Sequence, residues 1–309
     1  MISFIKKWTL PVAMLVGIAG YFLLMHCSLF VDIRTFATHS LGWVTPTLIF
    51  SMLLLTFSKV AWKELCFTKL MGWLLLIQVL GAVLSYLLLI SYNEIAAESA
   101  MLCFLMPTAT AAAVIVSKLG GNASIITTYT LLVNCSMAFL VPLIFSTIEP
   151  ASGTSFLTTF LYVFGKIFPL LICPFLLALF IRQYCKKLHS WMVDKQPLAF
   201  YLWAISLAIV TGETVHSLVQ SQESLSLLLF IAFVGLVVCC LQFFLGKWIG
   251  SMYENRITAG QALGQKNTIL GIWIALTYLH PLVAIAPGSY VLWQNIINSY
   301  QLWKKQRTS

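Results

Sequence analysis

Five consecutive residues, Gly264-Gln265-Lys266-Asn267-Thr268, interrupt an apolar stretch long enough to cross a bilayer. An ionisable side chain at membrane depth costs about 2.5–3.5 kcal/mol on insertion scales, so it normally faces a protein-lined space and marks a working site. Gln265, Lys266 and Asn267 project in three directions from a helix, so one polar helix–helix seam partners them poorly, and each needs a partner. The chemistry of such a cluster is binding of a solute or ion. A second interruption, Met106-Pro107-Thr108-Ala109-Thr110, lies earlier in the chain. Pro107 lacks a backbone donor and opposes continuous helix. Thr108 and Thr110 can bond the freed carbonyls or a ligand. Taken alone, this second segment reads as a kink repaired by threonine.

These residues sit in a chain of unusual composition. Its 309 residues are 60% hydrophobic and only 9% charged, where a soluble domain carries about 25%. Apolar stretches of about 20 residues recur throughout, the length a membrane helix needs. The first run, from Trp8 to Met25, lacks a small-residue cleavage site and reads as a span rather than a signal peptide. The net charge of +9 is spread in short clusters between apolar runs, which indicates a topology signal and not a nucleic-acid surface. The eight cysteines (Cys27, Cys66, Cys103, Cys135, Cys173, Cys185, Cys239 and Cys240) form no CxxC pair and no metal spacing. They read as free thiols, mostly core residues.

The runs predict an all-α membrane protein of ten transmembrane helices, at 8–26, 41–58, 70–92, 97–117, 122–147, 155–182, 197–217, 225–249, 257–279 and 281–303. Only helices or closed barrels satisfy their backbone in lipid, and these runs are continuous rather than alternating. With the N-terminus in the cytoplasm, 15 of the 18 basic residues fall in inside segments, Arg34, Lys166 and Lys266 being the others. Six of the nine acids (Asp32, Glu94, Glu98, Glu149, Glu213 and Glu223) fall outside. That partition supports ten spans with both termini cytoplasmic, in a cell membrane, with a bacterial inner membrane favoured. Five plus five spans imply an inverted repeat, in which sites form where matching helices of each half break near the midplane. The matching pair is the fourth and ninth spans, the two that are interrupted. If both unwind, the segments that follow begin with free N–H groups and a positive dipole end, suited to an anion or a carbonyl oxygen. The fourth, fifth and ninth spans are read as holding no carboxylate, so with Lys266 the pocket leans positive.

Four segments together resemble the bile acid:sodium symporter family: Cys103 to Pro107; Gly121-Asn122-Ala123-Ser124; Gly264 to Asn267; and Ala286-Pro287-Gly288-Ser289-Tyr290-Val291-Leu292-Trp293-Gln294-Asn295. Their order and spacing cover most of the chain. The resemblance implies one integral unit with panel helices 1–2 (residues 1–58) and 6–7 (155–217), and core helices 3–5 (70–147) and 8–10 (225–303). Helices 4 and 9 cross in the core, substrate binds between core and panel, and access alternates by their relative motion. It also implies substrate contacts at Thr110 and Asn267, with Thr108, Thr268 and Gln294 as weaker candidates, and helix breaks at Pro107 and Gly264.

The departures from the family are informative. Its sodium-using members place Ser-Asn where this chain has Ala112-Ala113, a hydroxyl where it has Ile126, a glutamate at Ala262 and a glutamine at Lys266. Only Thr130 and Gln78 match expected sodium ligands. A carboxylate has been lost and a lysine gained on one segment. Lys266 is therefore expected to replace the bound cation with a tethered one, donating to freed carbonyls, Gln78 or Gln265. The expected function is sodium-independent secondary transport of a small organic solute, an organic anion being favoured over a zwitterion, by uniport or linked to a proton on Lys266. A sodium-coupled symporter with rearranged ligands is the nearest alternative. A membrane-embedded ligand-binding sensor is the alternative of another class. No metal, cofactor or nucleic-acid partner is expected, and a monomer is favoured.

The remaining polar residues have plainer readings. His39, His216 and His280 fall near span ends as interface residues, and no metal spacing joins them. Lys166 can snorkel outward. Glu213 near His216 could be a proton pair but reads better as a solvated helix end. Asn134 reads as a helix–helix hydrogen bonder. Trp8, Trp43, Trp73, Trp293 and Trp303 suit an aromatic belt. An intramembrane enzyme would need paired acids, Ser/His or metal-binding carboxylates, and the spans offer none, so no enzymatic activity is expected.

Overall fold

The computed structural model describes the backbone of residues 2–26, 31–60, 65–148, 155–195 and 197–308, and the side chains of all these except 2–8, 26, 31–42 and 308. The side chains of Lys6, Lys7, Trp8, Cys27, Asp32, Arg34, His39, Lys63 and Glu149 therefore lie outside the described residues.

Within the described residues the chain is helical throughout. In order the helices are α1 (Ile2–His26), α2 (Val31–Phe57), α3 (Lys69–Leu89), α4 (Glu94–Leu105), α5 (Ala112–Leu119), α6 (Ala123–Ile148), α7 (Phe156–Tyr184), α8 (Lys186–Asp194), α9 (Leu198–Gln220), α10 (Leu225–Ser251), α11 (Arg256–Gly264) and α12 (Thr268–Tyr278), then a 3₁₀ turn (Pro281–Ala284) and α13 (Ile285–Thr308). Five of them, α3, α6, α7, α9 and α10, are long and apolar enough to cross a bilayer, and shorter apolar stretches cover Thr9–Met25, Trp43–Phe57 and Thr268–Tyr278. This is an all-helical, membrane-embedded protein.

The apolar residues do two jobs. On α3, Leu70, Leu74, Gln78 and Ala82 recur every fourth position and are buried, which is the spacing of one helix face. Leu76, Leu80, Val83, Leu84, Leu87 and Leu88 on the same helix are exposed. A helix apolar on all sides has lipid opposite its packed face. Helix starts are set by polar caps: Asn93 accepts from the Ala96 N–H, Ser155 from Thr158 and Ser224 from Leu227.

α1 lies along α9, and α2 packs on both α7 and α9. α10 lies against α11, α13 and α4, and α3 against α4. α6 joins the two groups, touching α7 on one side and α5 and α11 on the other.

The basic stretch after α7 contains α8, which buries Met192 against Leu55 and Ile181 while Lys186 and Lys187 stay exposed. Its His189 Nε2 lies 3.0 Å from the Ser58 carbonyl, and Arg182 donates to the Val60 carbonyl, so this end of α7 holds the chain leaving α2. Glu98, read as lying in an outside segment, is 1% exposed inside α4. The fourth span thus does contain a carboxylate, Glu98, and Glu94 opens α4 just before it, both toward the helix N-terminus where the dipole favours negative charge.

Candidate functional site

Both interruptions are real breaks, and they meet. Met106 precedes Pro107 and is forced into extended backbone (φ −51°, ψ 129°), which ends α4. Gln265 is likewise extended (φ −99°, ψ 103°) and ends α11. Gly264, the last residue of α11, has the Phe243 ring so close that an added Cβ would lie 2.3 Å from it. The freed segments lie antiparallel, with Thr108 paired to Lys266. The Ala109 N–H donates to the Gln265 carbonyl and the Asn267 N–H to the Pro107 carbonyl, both at 2.9 Å. A helix end leaves its last carbonyls without partners. Here each break supplies donors to the other.

Five carbonyls at these ends are capped by side chains from the surrounding helices and from the breaks themselves. At the end of α4, Gln242 Nε2 of α10 donates to Cys103 (3.0 Å), Lys266 Nζ to Phe104 (3.2 Å) and Gln78 Nε2 of α3 to Met106 (3.0 Å). At the end of α11, Thr108 Oγ1 donates to Ala262 (2.7 Å) and the Tyr290 hydroxyl of α13 to Gly264 (2.8 Å). Gln294 of α13 holds Lys266 from both sides, accepting from its N–H at 2.8 Å and donating to its carbonyl at 3.3 Å. Two tyrosines back two glutamines: the Tyr129 hydroxyl of α6 donates to Gln78 Oε1 at 3.1 Å, and Gln242 Nε2 donates also to the Tyr290 oxygen at 3.2 Å.

Lys266 is 1% exposed. Its ammonium ends on the last turn of α4, where the helix dipole favours a cation by up to about 2 kcal/mol in buried geometry. A hydrogen bond from a charged donor adds about 1.5–3 kcal/mol. These terms match the insertion cost of about 2.5–3.5 kcal/mol, so the lysine is tolerated without a carboxylate partner.

The other expected site residues divide into three groups. Thr108, Gln78 and Gln294 are buried at the junction and bonded to backbone groups, with Gln78 Oε1 taken by the Tyr129 hydroxyl. Thr110 and Asn267 are half-buried, and Asn267 Oδ1 caps α12 by accepting from the Leu270 N–H at 3.3 Å. Thr268 is buried at the first turn of α12, and Gln265 is buried with its Oε1 unpartnered. The sequence left three partners open for the ammonium: freed carbonyls, Gln78 or Gln265. The bond formed is to a freed carbonyl.

The residues at the expected sodium positions do not fit that ion. Ala112, Ile126 and Ala262 are fully buried and Ala113 partly so, presenting hydrocarbon where oxygen ligands are needed. Thr130 Oγ1 is turned back onto the Ile126 carbonyl at 2.8 Å, and Asn134 Nδ2 takes the Thr130 carbonyl at 2.7 Å. Sodium wants several convergent oxygens, and Gln78 is already committed on both its atoms. No group of three or more His, Cys, Asp or Glu side chains that could hold a metal occurs among the described residues.

Gln242, Tyr290 and Tyr129 escaped the sequence reading as site residues. Gln242 could have been found by the argument used for Lys266, since it is a single amide in the apolar run Leu236-Val-Val-Cys-Cys-Leu-Gln242-Phe-Phe-Leu. The tyrosines carry no such signal, because their rings suit an apolar helix. Gln261 Nε2 and Asn298 Oδ1 make a further buried bond (2.8 Å) between α11 and α13.

A cavity of about 1040 Å³ lies apart from the junction, among α1, α2, α7, α9 and α12. Thr110, Asn267 and Gln294 are not among its lining; Trp273 and Thr277 of α12 are. Of the histidines, His280 Nδ1 accepts from the Leu282 N–H and caps the 3₁₀ turn, while His216 lines the cavity. Neither protein-family models nor curated proteins give a match to the chain.

Proposed function

We propose that this protein is a secondary carrier of a small organic anion, of the bile acid:sodium symporter type, working by alternating access without sodium. In this reading ten spans form an inverted five-plus-five repeat, α4/α5 and α11/α12 being the broken pair. The helices α3–α6 and α10–α13 make the core, and α1, α2, α7 and α9 the panel. Thr110 and Asn267, half-buried on the two breaks, are the proposed solute contacts. The inverted repeat draws support from the matched Tyr–Gln pairs: Tyr129–Gln78 join the fifth and third spans, and Tyr290–Gln242 the tenth and eighth.

The observation that carries the sodium-independent reading is the Lys266 ammonium on the Phe104 carbonyl. It puts a covalently tethered donor at the crossing, where a mobile cation would have to be bound and released each cycle. Uptake into proteoliposomes, with solutes first selected by a thermal-shift screen of organic anions, tests this. Ligand binding to the folded form raises its melting temperature. The expected rate is the same in sodium and potassium. Stimulation by a sodium gradient that potassium does not reproduce refutes the reading, and saturable binding without flux turns it to a sensor.

A further inference from the structure

A carried proton has to reach water. Lys266 is poorly placed for that: it is 1% exposed, its ammonium is on Phe104, and its backbone is held by Gln294. The 1040 Å³ cavity is better placed, since Trp43 and Lys166 on its wall are left uncovered by protein. Among the described residues, its titratable lining is Tyr21 from α1, Lys166 from α7, and Glu213 and His216 from α9. Packed against α9, α2 brings Trp43 and Pro46, α12 brings Trp273, Leu276 and Thr277, and the 3₁₀ turn brings Pro281, none of which titrates.

Lys166 is engaged, donating to the Tyr162 hydroxyl at 2.8 Å with its ammonium 4.5 Å from the centre of that ring. Glu213 and His216 are not. They stand three residues apart on α9, on one face. The His216 ring lies edge-on to Tyr21 at 5.6 Å, and its Nδ1 is buried without a hydrogen-bond partner. Among the described residues the Glu213 carboxyl makes no hydrogen bond or ion pair; beyond the helix's own backbone bonds, its carbonyl accepts from Ser217 Oγ at 3.1 Å. A carboxyl in a membrane helix with no described cation paired to it, next to an imidazole with an open nitrogen, is equipped to take up and release a proton.

From this geometry we infer that Glu213 and His216 form the proton-binding site of the carrier, and that Lys266 does not. The role as a coupling site rests on the carrier reading; the proton binding itself does not. The test is infrared titration of the protein reconstituted in liposomes, without solute. Wild type should show a protonated-carboxyl band that disappears as the pH is raised. Glu213→Gln should lack the band, Glu213→Asp should retain it at a displaced midpoint, and His216→Gln should move the midpoint. Glu223→Gln, on an exposed loop, should leave it unchanged. A wild type with no such titration, or a band that survives Glu213→Gln, overturns the inference. Because no solute is present, a negative uptake experiment and a negative titration are separate results.

Discussion

Thr108 and Thr268 are both candidate solute contacts by sequence, and both are buried at the junction, but only one is committed to holding it. Thr108 Oγ1 donates to the Ala262 carbonyl at 2.7 Å. That carbonyl lies in the last turn of α11, and the Lys266 N–H, its partner in a continuous helix, goes instead to Gln294. Thr108→Val keeps the shape and leaves the carbonyl unpaired in an apolar core, which costs about 1–3 kcal/mol. For a chain of this size that corresponds to roughly 2–6 °C in melting temperature, taking about 2 °C per kcal/mol. Among the described residues Thr268 Oγ1 makes no hydrogen bond, so Thr268→Val orphans nothing there and should melt with the wild type. The assay is thermal unfolding of the three purified proteins in one detergent, followed by a thiol-reactive or tryptophan signal. If Thr108→Val melts with the wild type, or Thr268→Val falls as far, the account of the junction as mutually capped helix ends is wrong.

Gly17→Ala should destabilise by about 1–3 kcal/mol, because the new Cβ would lie 2.2 Å from the Ala208 carbonyl oxygen, whereas Gly20→Ala, with nothing within 4 Å, should be neutral; thermal unfolding separates them. Gln242→Leu removes the cap on the Cys103 carbonyl together with the bond to Tyr290, and should lower stability by about 1–3 kcal/mol in the same assay. In single-cysteine variants in sealed vesicles, a membrane-impermeant maleimide should label Cys66 and Cys185 from the cytoplasmic side. It should spare Cys103 and Cys239, which protein buries, and Cys240, exposed in the middle of α10, which lipid covers. Labelling of Cys240 in the intact bilayer would contradict the membrane placement of α10.

Helix class and helix breaks were legible because both are local. A helix closes its own backbone hydrogen bonds, so the length of an apolar run and the presence of Pro107 or of Gly264-Gln265-Lys266 determine where it runs and stops without reference to the rest of the chain. The unusual cost of a lysine in that run was legible for the same reason. What the lysine touches was not: Phe104 is 162 residues away, and three partners remained open until the two breaks were seen to lie antiparallel. Tyr129 and Tyr290 were invisible because a ring with one hydroxyl is at home in lipid, and only the neighbouring helix turns that hydroxyl into a cap. Glu98 was misplaced because an acid near a span end looks solvated, whereas burial is decided by the elements packed over it. The cavity among α1, α2, α7, α9 and α12 was likewise beyond reach, since a space between helices belongs to no segment of sequence. Sequence determined that this chain is helical, apolar and twice interrupted; the tertiary structure decided that the interruptions satisfy each other and that the unpaired carboxyl and imidazole stand elsewhere, because hydrogen-bond partners across helices are chosen by packing and not by order along the chain.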